Sequence, residues 1–129
     1  MATITKAQAR LLAEAFSSTS VEVAKIRYDR WETLSAEKRS ELGELDYQLT
    51  TASNAMYALA GILTLDEATA AIGEITDTIQ KAEKFLKKVA TVKKVITVVG
   101  GILSLAGAVL AKDPQEIFKE LKGIKELIK

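Results

Sequence analysis

Seventeen consecutive residues, Val95 to Ala111, carry no charge between Lys94 and Lys112. As a helix this stretch is about 25 Å long at roughly 1.5 Å per residue. It is apolar all round, so no polar face marks the side that meets water. Whatever the chain folds into must cover it with its own core, with a second copy or with lipid. Its length lies at the short edge of what spans a bilayer. Lys93, Lys94 and Lys112 stand where long side chains can snorkel to headgroups.

Composition favours helices as the means of covering it. The 129 residues include a single Pro and only 5% aromatics against 48% hydrophobic residues, with Ala, Leu, Glu and Lys abundant. These are strong helix formers, and one domain over residues 1–129 is expected to hold a core without disulfides or metal. The chain contains no Cys and no His. It therefore lacks thiol nucleophiles, the usual zinc ligands and the usual neutral-pH base, and neither an enzyme nor a cofactor is expected. Charge is divided unevenly: residues 1–80 hold 7 basic and 12 acidic side chains, residues 81–129 hold 11 and 5. The lysines Lys87, Lys88, Lys93 and Lys94 sit just ahead of the uncharged stretch. The start of the chain carries Lys6, Arg10 and Glu14 and lacks the apolar run of a secretory signal. A cytoplasmic protein is expected, or one exported without a classical signal peptide, with membrane association open to it.

Local signals predict an all-α antiparallel bundle of about four helices. The first spans about Thr5 to Leu34, with Ala7, Leu11 and Ala15 as one apolar row, continued less cleanly by Val23, Ile26, Arg27, Arg30 and Leu34, and a weak point at Ser17 to Ser20, whose hydroxyls compete for backbone bonds. The second starts at a Ser35 cap, with Glu37 at the positive end of its dipole. Leu42, Leu45, Leu49, Ala52, Met56, Leu59 and Leu63 form its row, and Gly61 stops it. Thr64 and Glu67 read as a capping box opening a third helix. From Ile72 to Leu110 that helix carries a heptad-like seam at alternating steps of three and four, broken only by Lys93, so one long helix ending in the apolar segment is expected. Asp113, Pro114 and Glu116 signal the start of a fourth, with Ile117, Leu121, Ile124 and Ile128 as its row.

If the second and third helices form a hairpin, the second reaches only to about Val95. The uncharged stretch would then project beyond its neighbour. A kink at Gly100 and Gly101 would tuck it back, so this pair is the candidate hinge. Val95, Ile96, Val99, Ile102, Leu103, Leu105, Val109 and Leu110 are the candidate membrane or oligomer surface. Thr97, Ser104, Gly107 and Ala111, with Gly100, form a seam of small residues that allows another helix to approach closely. Lys87, Lys88, Lys93, Lys94 and Lys112 are the candidate headgroup contacts. Arg27, Tyr28, Arg30 and Trp31 form a possible partner patch, these residue types being common in binding hot spots.

Other chemistries find little footing. The glycines lack the Gly-Lys-Ser/Thr of a phosphate loop. The carboxylate pairs Glu41 with Glu44 and Glu74 with Asp77 lack the His partner of di-metal bundles. The lysines lack the interleaved aromatics of a nucleic-acid surface, and no small-molecule substrate is implied. Over residues 66–129 the pattern resembles, in architecture, small α-helical pore-forming or membrane-inserting proteins. The expected function is thus a non-enzymatic helical protein presenting residues 95–111 to a membrane, extending to pore formation after oligomerisation. The alternative is a soluble homo-oligomeric adaptor or structural protein in which the same segment is a permanent core or interface.

Overall fold

The computed structural model describes residues 2–89 and 91–129. Among these are five α-helices: α1 (Lys6–Asp29), α2 (Ala36–Met56), α3 (Ala68–Lys88), α4 (Val92–Leu110) and α5 (Pro114–Leu127). Two short strands, β1 (Ala2–Thr3) and β2 (Thr64–Leu65), pair antiparallel with Ala2 opposite Leu65. Short 3-10 turns at Trp31–Thr33 and Tyr57–Leu59 close the ends of α1 and α2.

The expected caps at Ser35 and Asp113 are present, each accepting a hydrogen bond from the amide three residues on, and Pro114 opens α5. Thr5 and Gln8 form a reciprocal capping box on α1. Gly61, at φ +74, ends the α2 region in a conformation that a side chain resists. The box read at Thr64 and Glu67 does not form. Thr64 is engaged in the β pair, and Glu67 instead takes the left-handed N-cap position, at φ 48, without a side-chain cap bond.

The β pair decides the packing order. The Ile4 amide donates to the Leu63 carbonyl at 2.9 Å and the Gly61 amide donates to the Ile4 carbonyl at 2.9 Å, which pins the start of α1 beside the start of α3. α1 therefore packs between α2 and α3, and the expected hairpin of the second and third helices is not made. Cross-links between helices follow this order. Gln8 donates to Thr69, and Ser18 and Thr19 donate to Glu83, so α1 and α3 run parallel. Ser53 donates to the Ala13 carbonyl and Ser20 to Asp46, so α1 and α2 run antiparallel.

α1 runs unbroken through Ser17 to Ser20, where Ser18 and Thr19 donate to Glu83 and Ser20 to Asp46 on neighbouring helices, and Thr19 also reaches back to its own helix, at the Ala15 carbonyl. Its buried face is Ala9, Leu12, Ala13, Phe16, Thr19, Ser20, Val23 and Ile26. The expected row holds only in its second half: Val23, Ile26 and, beyond the helix, Leu34 are buried, whereas Ala7 and Leu11 are exposed and Ala15 is half-buried. In α2 the expected row holds, with only Leu45 less than fully buried.

The predicted long helix is two helices. Val89 and Thr91 are both extended, at ψ 135 and 136, and the Thr91 hydroxyl caps α4 by accepting from the Lys94 amide. Burial explains the break. α3 buries Ile72, Ile75, Ile79, Ala82 and Leu86, whereas α4 buries Val95, Val98, Val99, Ile102, Leu105, Ala106, Ala108 and Val109. At roughly 100° per residue, Leu86 and Val95 would face opposite sides of one straight helix. Turning back at the elbow aims both faces at one core. Gly100 and Gly101 lie inside α4 and make no turn.

α4 is the central helix, packed mainly on α2 and α5 and touching α1 and α3. With 0% exposure, Ile102 exemplifies its role as core. Ile102→Ala is expected to lower the unfolding free energy by about 2–5 kcal/mol. Gly61→Ala should cost about 1 kcal/mol through its positive φ. Gly123→Ala, in α5 with open space at the Cβ position, should add about 0.5–1 kcal/mol. Urea titrations measure all three, and a loss well under 1 kcal/mol for Ile102→Ala would contradict the central placement of α4.

Candidate functional site

In the last third of the chain, one element has the length and composition of a membrane segment. α4 is the single helix among the described residues that is long and apolar enough to cross a bilayer, and 44% of its most apolar window is buried inside the fold. The test is one of length and composition, which core helices also pass, so the surroundings of α4 decide how it is used.

Four neighbouring helices shelter α4 within one chain. Its large apolar side chains are all buried or half-buried, with Val92, Ile96, Leu103 and Leu110 at the half-buried margins. The outer stripe consists of Lys93, Thr97, Ser104, Gly107 and Ala111, all exposed, with Gly100 half-buried among them. The seam of small residues is thus the solvent face of α4, and no helix of the same chain uses it. The glycine that does admit a neighbour is Gly101: a Cβ there would lie 3.3 Å from Leu127 Cδ1 and 3.4 Å from Ile124 Cγ1 of α5. Absence of a side chain at Gly101 sets how closely α5 approaches.

The elbow carries the basic charge. Lys87 and Lys88 end α3, Lys93 and Lys94 begin α4, and no acidic residue occurs between Glu83 and Asp113. Lys87, Lys88 and Lys93 are exposed and Lys94 half-buried, while Lys112 stands exposed at the far end of α4 in a left-handed conformation, φ 58. None of these five is in an ion pair among the described residues, unlike Lys81 with Asp77 or Lys125 with Glu74. Lys87 and Lys88 suit the negative end of the α3 dipole. Lys93 and Lys94 occupy the positive end of α4, where no acidic residue offsets them and each costs about 0.3–1 kcal/mol.

Arg27, Tyr28, Arg30 and Trp31 are brought close together, but most of the group is engaged within the fold. Arg27 and Arg39 both stack on the Trp31 ring, at 5.0 and 4.6 Å. Arg39 Nε donates to the Trp31 carbonyl and Arg27 Nε to the Arg39 carbonyl, each at 2.8 Å. Gly43 leaves the space that the Arg27 guanidinium fills. Arg30 Nη2 donates to the Val89 carbonyl at 2.7 Å, tying α1 to the elbow. Tyr28 alone projects freely, 82% exposed.

A groove of about 290 Å³ lies between the start of α3 and α5, lined by Leu65, Ala71, Ile117 and Leu121 with Phe118 at its lip. The carboxylates considered as metal pairs are spent elsewhere: Glu41 on Lys38, Glu44 on Gln48, Glu74 on Lys125 and Asp77 on Lys81. Among the described residues no group of three or more potential ligands is placed to hold a metal. Sequence reasoning missed the Arg30 tie and the Glu83 bonds, since neither partner lies near the other in the chain.

The chain matches no protein-family model, and comparison with curated proteins and with solved structures finds no match.

Arg30→Ala removes the bond to Val89 and should loosen the elbow before the core. Amide exchange at the first turn of α4 is expected to rise severalfold, the bond being worth about 1.5–3 kcal/mol locally. Unchanged exchange there would mean that Thr91 and packing hold the elbow without Arg30.

Proposed function

We propose that this is a small non-enzymatic helical protein that keeps α4 sheltered in its compact form and delivers it to an anionic membrane. The observation that carries the reading is the pairing of one span-length apolar helix with an unpaired lysine cluster at its entry. Nineteen residues of α4 give about 28 Å of helix against roughly 30 Å of hydrocarbon. Lys93 and Lys94 are unfavourable where they stand in the bundle, and the same two charges are favourable against anionic headgroups. Elbow and helix together then form a basic collar on an apolar rod.

Delivery requires a receiving phase. α4 leaving the bundle uncovers at least Val95, Val98, Val99, Ile102, Leu105 and Val109. At about 1.5–3 kcal/mol for each large side chain, that cost equals or exceeds the whole stability of a typical domain. In buffer the compact form therefore dominates, and lipid burial offsets the cost at a membrane. Permeabilisation would follow once several copies gather there. A permanent soluble interface formed by this segment has less to explain, because α2 and α5 already cover it within one chain.

Dye-loaded vesicles of phosphatidylcholine with phosphatidylglycerol supply the test. The protein should bind and release dye at low salt, and weaken as ionic strength rises. Replacing Lys87, Lys88, Lys93 and Lys94 by Gln should lower vesicle affinity by about tenfold or more, each surface lysine being worth about 1 kcal/mol. Leu103→Lys, at the half-buried margin, should abolish release while the variant still folds. A wild-type protein that ignores anionic vesicles at low salt overturns the reading.

A further inference from the structure

The apolar row that α3 buries does not stop where α3 stops. After Leu86 it runs on at the same steps of three and four through Val89, Ile96, Gly100, Leu103, Gly107 and Leu110, interrupted only by Lys93. In the compact fold this continuation goes largely unused: Gly107 is exposed and the other five are half-buried. α4 buries a second row instead, Val95, Val98, Ile102, Leu105 and Val109. Traced back into α3 at the same spacing, that second row meets Thr91 and then Lys88, Lys84, Lys81, Asp77 and Glu74. Only the first row is apolar on both sides of the elbow. A helix that merely closed this bundle would have no need to stay in phase with α3 across a break.

We propose that the elbow is a switch, and that α3 and α4 join into one helix when α4 enters an apolar phase. This rests on the membrane reading above and specifies its form. In the joined helix the continuous row packs against the same row of a second copy. The second row is then free to face lipid, while the charged residues in line with it on α3 remain in water. The elbow contains neither Pro nor Gly, so nothing in its covalent structure forbids helix there. What holds it open is reversible: the Thr91 cap and the Arg30 bond to Val89. α5 travels with α4, since their close approach at Gly101 does not involve the elbow.

The absence of cysteine makes site-directed labelling direct. Spin labels on Lys81→Cys and Ser104→Cys, both exposed positions, sit on helices that double back on each other in the compact fold. In a joined helix they would stand about 35 Å apart at roughly 1.5 Å per residue. The shorter distance is expected in buffer, and the distance near 35 Å both on phosphatidylcholine–phosphatidylglycerol vesicles and in dodecyl maltoside micelles. A short distance throughout, in a protein that releases dye from vesicles, overturns the switch and leaves the membrane reading standing. A protein that ignores vesicles but lengthens in micelles keeps the switch and removes the membrane reading.

Val92→Pro separates the states further. Val92 is the first residue of α4, where Pro is well tolerated, and Thr91 already has the extended backbone that a following Pro requires. Inside a joined helix the same Pro is disruptive. The variant should fold as the wild type does, hold the short distance in micelles and lose dye release by at least about tenfold. Release at the wild-type level would overturn the proposal. On vesicles a lone cysteine at Leu103 should cross-link two copies more readily than one at Val98, and the reverse order would equally count against it.

Discussion

A helix with no charged side chain over its last sixteen positions cannot rest on one neighbour. That requirement orders the whole molecule. It calls for helices on several sides of α4, and the chain supplies α2 and α5 as the main walls with α1 and α3 closing the gaps. The remaining stripe faces water because its side chains are small or polar, so no large apolar group of α4 is left fully exposed. The elbow follows from the same requirement, since without it α3 and α4 would bury opposite sides.

Polar contacts set the alignment of the walls. Glu83 accepts from Ser18 and Thr19, Asp46 from Ser20, and the Ala13 carbonyl from Ser53. Hydroxyls buried without such partners would each cost a few kcal/mol, so these bonds favour one register of α1 between α2 and α3 over its neighbours. At the other end Trp31 lies between Arg27 and Arg39, and Arg30 reaches Val89. Arg27, Trp31 and Arg39 thus hold the α1–α2 turn together, while it is Arg30 that ties it to the elbow.

Much of this is legible in the sequence. Caps at Ser35 and Asp113, the turn at Gly61, the buried row of α2 and that of α5 were all readable, because each depends on residues a few positions apart. In α1 Val23 and Ile26 are readable, but the buried face before them is hidden by Thr19 and Ser20, polar residues that belong to it and interrupt the apolar pattern. The elbow was hidden for the opposite reason: the apolar row continues in phase through it, and Thr91 is a weaker stop signal than Gly or Pro. The order of packing was out of reach, because it depends on Ile4 pairing with Gly61 and Leu63, a contact no local pattern announces. For the candidate site, the apolar segment and its lysines were evident, and what covered them was not.

That N-terminal pairing also has a temporal meaning. A chain is made from its N-terminus, and domains and their parts fold in that order where contacts allow. Among the described residues the backbone pairing of β1 and the Ile4 hydrogen bonds reach no further than Leu65, so α1, α2 and the strand pair can close before α4 has been synthesised. The most apolar helix then emerges beside α2, one of its two main walls, already held against α1, and α5 closes over it afterwards. The interval in which α4 is exposed to other proteins during synthesis is shortened by a contact made some thirty positions before it begins.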